Sequence, residues 1–496
     1  MAAETTLAPV GWDYDLVVIG SGPAGEKGAV QAAYFGKRVA IVEKEPQPGG
    51  ACVHTGTLPS KTMRETAIFL SGRAQREVYG VHVTVDPAVA VPKLLSRKDA
   101  VRAAEVDRIN WNIGRHKVDS ILGRAQLLGP NEMVVTATRG AARRITSEFI
   151  LIASGSIPHR PSHVPFDDPD VDDSDTILQL DRMPKDLVIL GAGVIGCEYA
   201  SMFAALEVRV TLVEGRKEIL SFLDADMSEA LRLAMTELGV NFLLGDSATR
   251  VVREGTRIVT ELASGGLLES EKLLFAAGRS GATAGLGLEE VGVNQGARGS
   301  IVVDADFRTN VRSIFAAGDV VGFPALASTS MEQGRVAVCN MFGFTYKKQM
   351  SGLWPMGVYT IPEVSAVGVA EEDAQAQGRK VVVGRGPYAL NARGKIIGDT
   401  RGMVKLVFDA TTRVLIGAHV IGDHATELVH IGQAIIGLGG TVDTIVGMVF
   451  NYPTLSECYK DAAYDALGRF EGAGREARRA GPLSAPDVAA AAEPAR

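Results

Sequence analysis

Cysteine is scarce. Four thiols, Cys52, Cys197, Cys339 and Cys458, are spread over 496 residues with no two close together. That density excludes a disulfide-stapled secreted scaffold, and the spacing excludes a zinc site built on paired cysteines. Long apolar runs are missing too. The most apolar late stretch, AIIGLGGTVDTIVGMVF, is broken by Asp443 and several glycines and falls short of a bilayer span. The opening residues, MAAETTLAPVGWDYD, show no basic segment followed by an apolar one, so no secretory leader is expected. Positive charge is not in excess. The net charge of -7 speaks against nucleic acid or an anionic membrane as partner. The expectation is a soluble, cytoplasmic protein with no metal site.

What is present suits a large globular enzyme. Hydrophobic residues make up 46% and charged residues 22%, which leaves no difficulty in burying a core. At ~150 residues per domain the chain has room for about three. Residues 1–12, and residues 471–496 with their Ala, Arg, Gly and Pro and no apolar stripe, are expected to be disordered.

The segment YDLVVIGSGPAGEKGAVQAAYFGKRVAIVEKE starts with an apolar run, Leu16 to Ile19, as a buried parallel strand does. It turns on Gly20, Gly22 and Gly25, continues with helical periodicity, and ends a second strand, Val39 to Val42, at Glu43. Glycines there allow a tight turn and close approach to a pyrophosphate. The helix N-terminus offers unpaired N–H groups, and the acid can accept hydrogen bonds from a ribose diol. The pattern recurs in KDLVILGAGVIGCEYASMFAALEVRVTLVEGRK, with Gly191, Gly193, Gly196 and Glu214. Glu43 follows Gly20 by 23 positions, and Glu214 follows Gly191 by 23. Two such units in one chain imply two dinucleotide sites and a hydride moved between them, with a bound flavin as one of the pair. Two shorter stretches agree with this. LIASGSIP ends a strand at Ala153, Ser154 and Gly155, and TNVRSIFAAGDVVGFP closes a strand on Gly318 and Asp319.

In these motifs, over roughly residues 13–470 and in this order, the chain resembles the pyridine nucleotide–disulfide oxidoreductases. The resemblance implies an α/β fold with two Rossmann-like, three-layer dinucleotide-binding domains and an α+β C-terminal dimerisation domain. It divides the chain into an FAD-binding domain at 13–160, an NAD(P)-binding domain at 161–280, an FAD-binding return segment at 281–350 and a dimerisation domain at 351–470. It implies FAD contacts at Gly20, Gly22, Gly25, Glu43, Gly50, Ser154, Gly155 and Asp319. NAD(P) contacts are implied at Gly191, Gly193, Gly196, Glu214, Arg216, Lys217 and Gly278. Lys61 and Glu198 match a family pair beside the flavin N5, where a cation stabilises reduced flavin and its carboxylate partner sets orientation. A homodimer or higher homo-oligomer is implied.

Two departures from the family pattern redirect the chemistry. In GGACVHTGTLPSK the position of the second redox cysteine is Thr57, five after Cys52, and a hydroxyl cannot close a disulfide. In FNYPTLSECYK the residue before Pro453 is Tyr452, where the family has a histidine that serves the thiols, although the acid Glu457 remains. Tyrosine, with a pKa near ~10, is a poor base for a thiol at neutral pH. Both losses fall in the disulfide half-reaction, and the nicotinamide–flavin half is intact. The combination is similar to the soluble pyridine nucleotide transhydrogenase branch, which implies an Si-specific NADPH + NAD⁺ ⇌ NADP⁺ + NADH reaction, ping-pong through FAD, with NAD(H) and NADP(H) as substrates. Glu214 suits an NAD ribose, and Arg216 and Lys217 suit a 2′-phosphate, as expected of an enzyme that takes both. Cys52 is read as a packing residue in preference to a thiolate–flavin contact. An NAD(P)H:quinone or diaphorase-type reductase is the rival enzyme, and a non-catalytic flavoprotein subunit the rival outside enzymes.

Overall fold

The computed structural model describes residues 11–72, 78–81, 87–137 and 140–470, apart from the side chains of 87–90. The terminal segments expected to be disordered lie outside these residues, except for Gly11 and Trp12.

The strand Tyr14–Ile19 pairs in parallel with Val39–Glu43 on one side and Arg143–Ile152 on the other. Asp119–Leu122 and Ile314–Ala316 extend the parallel sheet at its two sides. Alternation along the central strand sends its side chains into two cores. Leu16 and Val18 pack among helical residues such as Ala24, Ala29 and Ile109. Val17 and Ile19 pack with Leu127, Met133 and Val135 from an antiparallel hairpin. Two faces buried by different layers explain why the strand is apolar from Leu16 to Ile19. The helix Pro23–Tyr34 lies against the helix Ala327–Phe342, close enough that a Cβ on Gly334 would stand 2.2 Å from the Ala24 carbonyl oxygen.

The second unit repeats this plan. Val240–Leu244, Arg209–Glu214, Asp186–Leu190, Lys272–Phe275 and Val171–Asp173 form a five-stranded parallel sheet in that order. The helices Val194–Ala205 and Ala225–Leu238 cover one face, and the antiparallel strands 248–254, 257–262 and 267–270 cover the other. The chain passes between the units through a short antiparallel pair, Ser156–Pro158 with Arg279–Gly281.

The third unit is α+β. Five antiparallel strands are ordered Met356–Val358, Val364–Gly368, Leu415–Ile421, Met403–Asp409 and Val381–Pro387. The helix Cys458–Phe470 rests on the last strand, where Cβ atoms on Gly384 and Gly386 would lie 1.9 and 2.2 Å from its carbonyl oxygens. Lys405, 0% exposed, reaches from this sheet to Asp224 and Asp226 of the second unit and to Glu371. Removing one partner of such a buried cluster costs about 3–5 kcal/mol, so it holds the two units in register. Among the described residues no helix is long and apolar enough to cross a membrane.

Candidate active site

Each parallel sheet ends on a glycine turn of the same construction. Gly20 has φ +101°, and a Cβ there would meet the Ala153 carbonyl oxygen at 2.5 Å. Gly191 has φ +106°, and its Cβ would meet the Ala276 backbone at 3.0 Å. Both positions therefore require glycine. The third glycines let helix and strand touch: Cβ atoms on Gly25 and Gly196 would lie 2.0 and 1.8 Å from the Gly20 and Gly191 oxygens. The middle glycines differ. Gly22 would meet only the Gly50 Cα, at 3.9 Å, and Gly193 nothing within 4 Å. Among the described residues no protein atom explains their lack of a side chain, and the space in front of them is free.

The acids are held in the same way. Glu43 accepts from Ser21 N (2.9 Å), Ser21 Oγ (2.6 Å) and Glu45 N (2.9 Å). Glu214 accepts from Ala192 N (2.8 Å) and Arg216 N (3.0 Å). Burial alone would raise the Glu214 carboxyl, but the Ala192 and Arg216 N–H groups and the Arg216 guanidinium hold it below the usual carboxylate range. Arg216 is thus already engaged: Nε contacts Glu214 at 3.3 Å and NH1 donates to Ser221 Oγ at 2.9 Å. Lys217 is exposed and has no polar partner among the described residues. Gly278, at φ +107°, faces the Arg298 guanidinium, whose NH1 lies 2.2 Å from where its Cβ would be.

A cavity of about 1280 Å³ runs from the first turn to the junction of all three units. Its walls include Gly20, Gly22, Glu43, Gly50, Ser154, Gly155 and Asp319 at one end, and Cys52, Thr57, Lys61 and Glu198 at the other. Gly25 is packed beneath the first turn. The second glycine turn, Glu214, Arg216, Lys217 and Gly278 lie outside these walls, but Val194 and Ile195, at the start of the helix that follows that turn, enter them. Ser154 Oγ is buried with no hydrogen-bond partner among the described residues. Asp319 accepts from Ser156 Oγ at 2.9 Å.

Lys61 lies on the helix Thr57–Ser71 and Glu198 on Val194–Ala205, so tertiary packing alone brings them together. Lys61 Nζ donates to both carboxylate oxygens, at 2.8 and 2.7 Å. Glu198 is 4% exposed and also accepts from Tyr359 N at 3.0 Å. The Tyr359 ring lies 5.0 Å from the lysine Nζ. Bidentate contact and a third donor leave the carboxylate satisfied and the cation fixed at the cavity wall.

Cys52 stands beside Thr57, and burial pushes its thiol up against the opposing pull of the hydrogen bond with the Thr57 side chain. Burial thus favours the thiol over the thiolate. Tyr452 is 75% exposed and is not part of the cavity wall. Cys458 is buried in the core of the third unit. Among the described residues no group of His, Cys, Asp and Glu could hold a metal ion.

Sequence reasoning did not single out Ser21, Ser156, Arg279, Tyr359, Thr426 or His430, all of which line the cavity. Ser21 occupies an unconstrained position of the glycine motif. Arg279 reaches Ser156 (2.8 Å) and Ser174 (3.1 Å) only because the strand pair closes. The last three belong to the third unit and carry no local signal.

Known proteins share this fold. The family model for the pyridine nucleotide-disulphide oxidoreductases matches residues 14–334, and that for the dimerisation domain of the same family matches 354–463. A soluble pyridine nucleotide transhydrogenase from Mycobacterium bovis (strain BCG / Pasteur 1173P2) is 46% identical over 458 residues, 92% of this chain and 98% of the relative. One from Marinomonas sp. (strain MWYL1) is 39% identical over 464 residues, with 92% and 98% covered. Among solved structures, LpdA from Mycobacterium tuberculosis superposes with a TM-score of 0.84 at 28% identity, covering 90% of this chain and 99% of that one. The HOCl-induced flavoprotein disulfide reductase RclA from Escherichia coli gives 0.82 at 28%, covering 91% and 99%.

Proposed function

Because this chain belongs to the pyridine nucleotide-disulphide oxidoreductase family, we propose that it catalyses NADPH + NAD⁺ ⇌ NADP⁺ + NADH with a resident FAD and no redox disulfide. One observation carries the reading: the cavity keeps the Lys61–Glu198 pair while Cys52 faces a hydroxyl at Thr57. The 46% identity to a soluble pyridine nucleotide transhydrogenase supports it.

The first site fits FAD. At about 1280 Å³ it is larger than a pocket for a single small ligand, ~300–1,000 Å³. It also offers the open space before Gly22 and the unpartnered Ser154 Oγ. Gly20, Gly22, Gly25, Glu43, Gly50, Ser154, Gly155 and Asp319 would hold it. FAD bound there supplies a two-electron carrier that takes a hydride from one nicotinamide and returns it to another. The protein's part is positioning. Gly191, Gly193 and Gly196 accommodate the pyrophosphate of the nicotinamide dinucleotide, and Gly278 contacts the same dinucleotide. Glu214 takes a ribose diol, and Arg216 and Lys217 offset its charge for a 2′-phosphate. Lys61 keeps a cation at the reacting end, Glu198 fixes it, and the Cys52 thiol fills space. The dimerisation-domain match supports a homodimer, and the relatives' description as soluble supports a cytoplasmic location.

The test is NADPH-dependent reduction of thio-NAD⁺ by the FAD-loaded protein, with lipoamide, glutathione disulfide and a quinone in parallel. Turnover with thio-NAD⁺ far above that with any disulfide is expected. Comparable rates with lipoamide or glutathione disulfide would overturn the reading, and quinone turnover well above thio-NAD⁺ turnover would favour a diaphorase.

A further inference from the structure

We propose that His430 accepts a hydrogen bond, through Nε2, from the carboxamide N–H of the nicotinamide ring and so sets the orientation of that ring. The inference rests on the transhydrogenase reading above.

The helix Ala425–Gly437 belongs to the third unit and sends Thr426, Val429 and His430 into the cavity wall. The histidine is oriented by a short polar chain. Gln433 Nε2 donates to the Leu353 carbonyl oxygen at 3.1 Å, so its Oε1 is turned toward His430. His430 Nδ1 stands 2.8 Å from that oxygen. A carbonyl oxygen has no proton to give, so Nδ1 carries the hydrogen, and in the neutral ring Nε2 presents a lone pair. Nε2 has no partner among the described residues. An exposed imidazole at the cavity wall, with one nitrogen fixed from behind and the other left free, is a preset acceptor.

The neighbours place this acceptor at the reacting end. One helical turn before His430 is Thr426, against which Gly357 packs so closely that a Cβ there would lie 3.1 Å from Thr426 Cγ2 and 3.5 Å from the Tyr359 ring. That ring is the one 5.0 Å from Lys61 Nζ. Val194 and Ile195, which lie between Gly193 and Gly196 of the second glycine motif, enter the same cavity. A dinucleotide with its pyrophosphate on that turn passes them with its nicotinamide end leading. The only hydrogen-bond donor on the nicotinamide ring itself is the carboxamide N–H₂, which matches the free lone pair. A ring held at its carboxamide cannot rotate about its glycosidic bond, and one face is presented for hydride transfer.

Two variants and two dinucleotides test this. His430→Phe removes the acceptor, and His430→Gln restores a side-chain oxygen. NAD⁺ carries the N–H donor, and 3-acetylpyridine adenine dinucleotide has a methyl ketone in its place. Dissociation constants on the FAD-loaded protein come from calorimetry, and KM and kcat from steady state. His430→Phe is expected to raise Kd and KM for NAD⁺ about tenfold, the ratio equivalent to ~1.4 kcal/mol. His430→Gln should recover most of that loss, and the acetylpyridine analogue should change less than about twofold, as it has no hydrogen bond to lose. Equal loss for both dinucleotides, or no loss for NAD⁺, overturns the proposal. Failure of the unmodified protein to move hydride from NADPH to thio-NAD⁺ would overturn the transhydrogenase reading instead, and the binding comparison would still decide the role of His430.

Discussion

Replacing Gly193 and Gly196 by alanine, one at a time, separates what the second glycine turn does for the fold from what it does for the ligand. At Gly193 the backbone is extended, φ -77° and ψ -172°, at the N-cap of Val194–Ala205. Alanine adopts that conformation without strain, and its Cβ would meet no protein atom within 4 Å. Folding should be untouched or slightly favoured, since Gly→Ala at a compatible site stabilises by about 0.4–1 kcal/mol through the unfolded chain. The methyl group projects instead into the space assigned to the pyrophosphate. Breaking one charge-assisted hydrogen bond to that group, worth about 1.5–3 kcal/mol, corresponds to roughly tenfold or more in affinity. Gly196→Ala does the reverse: its Cβ would stand 1.8 Å from the Gly191 carbonyl oxygen. Helix and strand must part, at a cost of about 1–3 kcal/mol or more. The assay is calorimetric binding of NADH and NADPH beside thermal unfolding, with the flavin spectrum as a control for the first site. Gly193→Ala should bind both dinucleotides at least about tenfold more weakly at unchanged Tm and FAD content, and Gly196→Ala should lower Tm. A Gly193→Ala protein that binds NADH as tightly as the parent would refute the placement of the pyrophosphate.

Cys52→Ser should keep most transhydrogenase activity, because burial holds the thiol protonated and no second thiol answers it; a loss beyond ~10²-fold with FAD still bound, about 2.7 kcal/mol of barrier, would make the thiol a chemical participant. Lys217→Ala should weaken NADPH about tenfold more than NADH, and Arg216→Ala should discriminate less, since Arg216 is already paired with Glu214 and Ser221; equal effects of Lys217→Ala on both dinucleotides would show that the lysine is merely solvated. His419 is buried beside Lys405, Asp224 and Asp226, and burial holds its pKa below the ordinary value, so the unfolded chain takes up the proton first as pH falls. Its contribution to stability is therefore present above about pH 6.5 and lost below it, by up to ~1.4 kcal/mol per pH unit. His419→Gln should flatten the drop in Tm between pH 7.5 and 5.5, and an identical drop in both proteins would point to other groups.

The parts of this protein that could be read from sequence are those whose physics is local. A strand, a three-glycine turn, a helix and a terminal acid lie within one continuous stretch, and the constraints on Gly20, Gly25, Gly191 and Gly196 come from atoms a few residues away or on the neighbouring strand. The missing thiol at Thr57 and the tyrosine before Pro453 stood out only against the resemblance to the family, whose pattern has a cysteine and a histidine there. Tertiary structure decided what depends on long-range closure. Lys61 and Glu198 are 137 positions apart and meet only when the two parallel-sheet units pack. Arg216, read as suited to a 2′-phosphate, also contacts Glu214 through the turn that follows the strand. The third unit's share of the cavity, Tyr359, Thr426 and His430 among it, was invisible, because an amphipathic helix and the end of an antiparallel strand look alike whether they face solvent or a ligand. A continuous stretch of chain can determine how it turns, but which distant side chain it meets is set by the packing of whole domains.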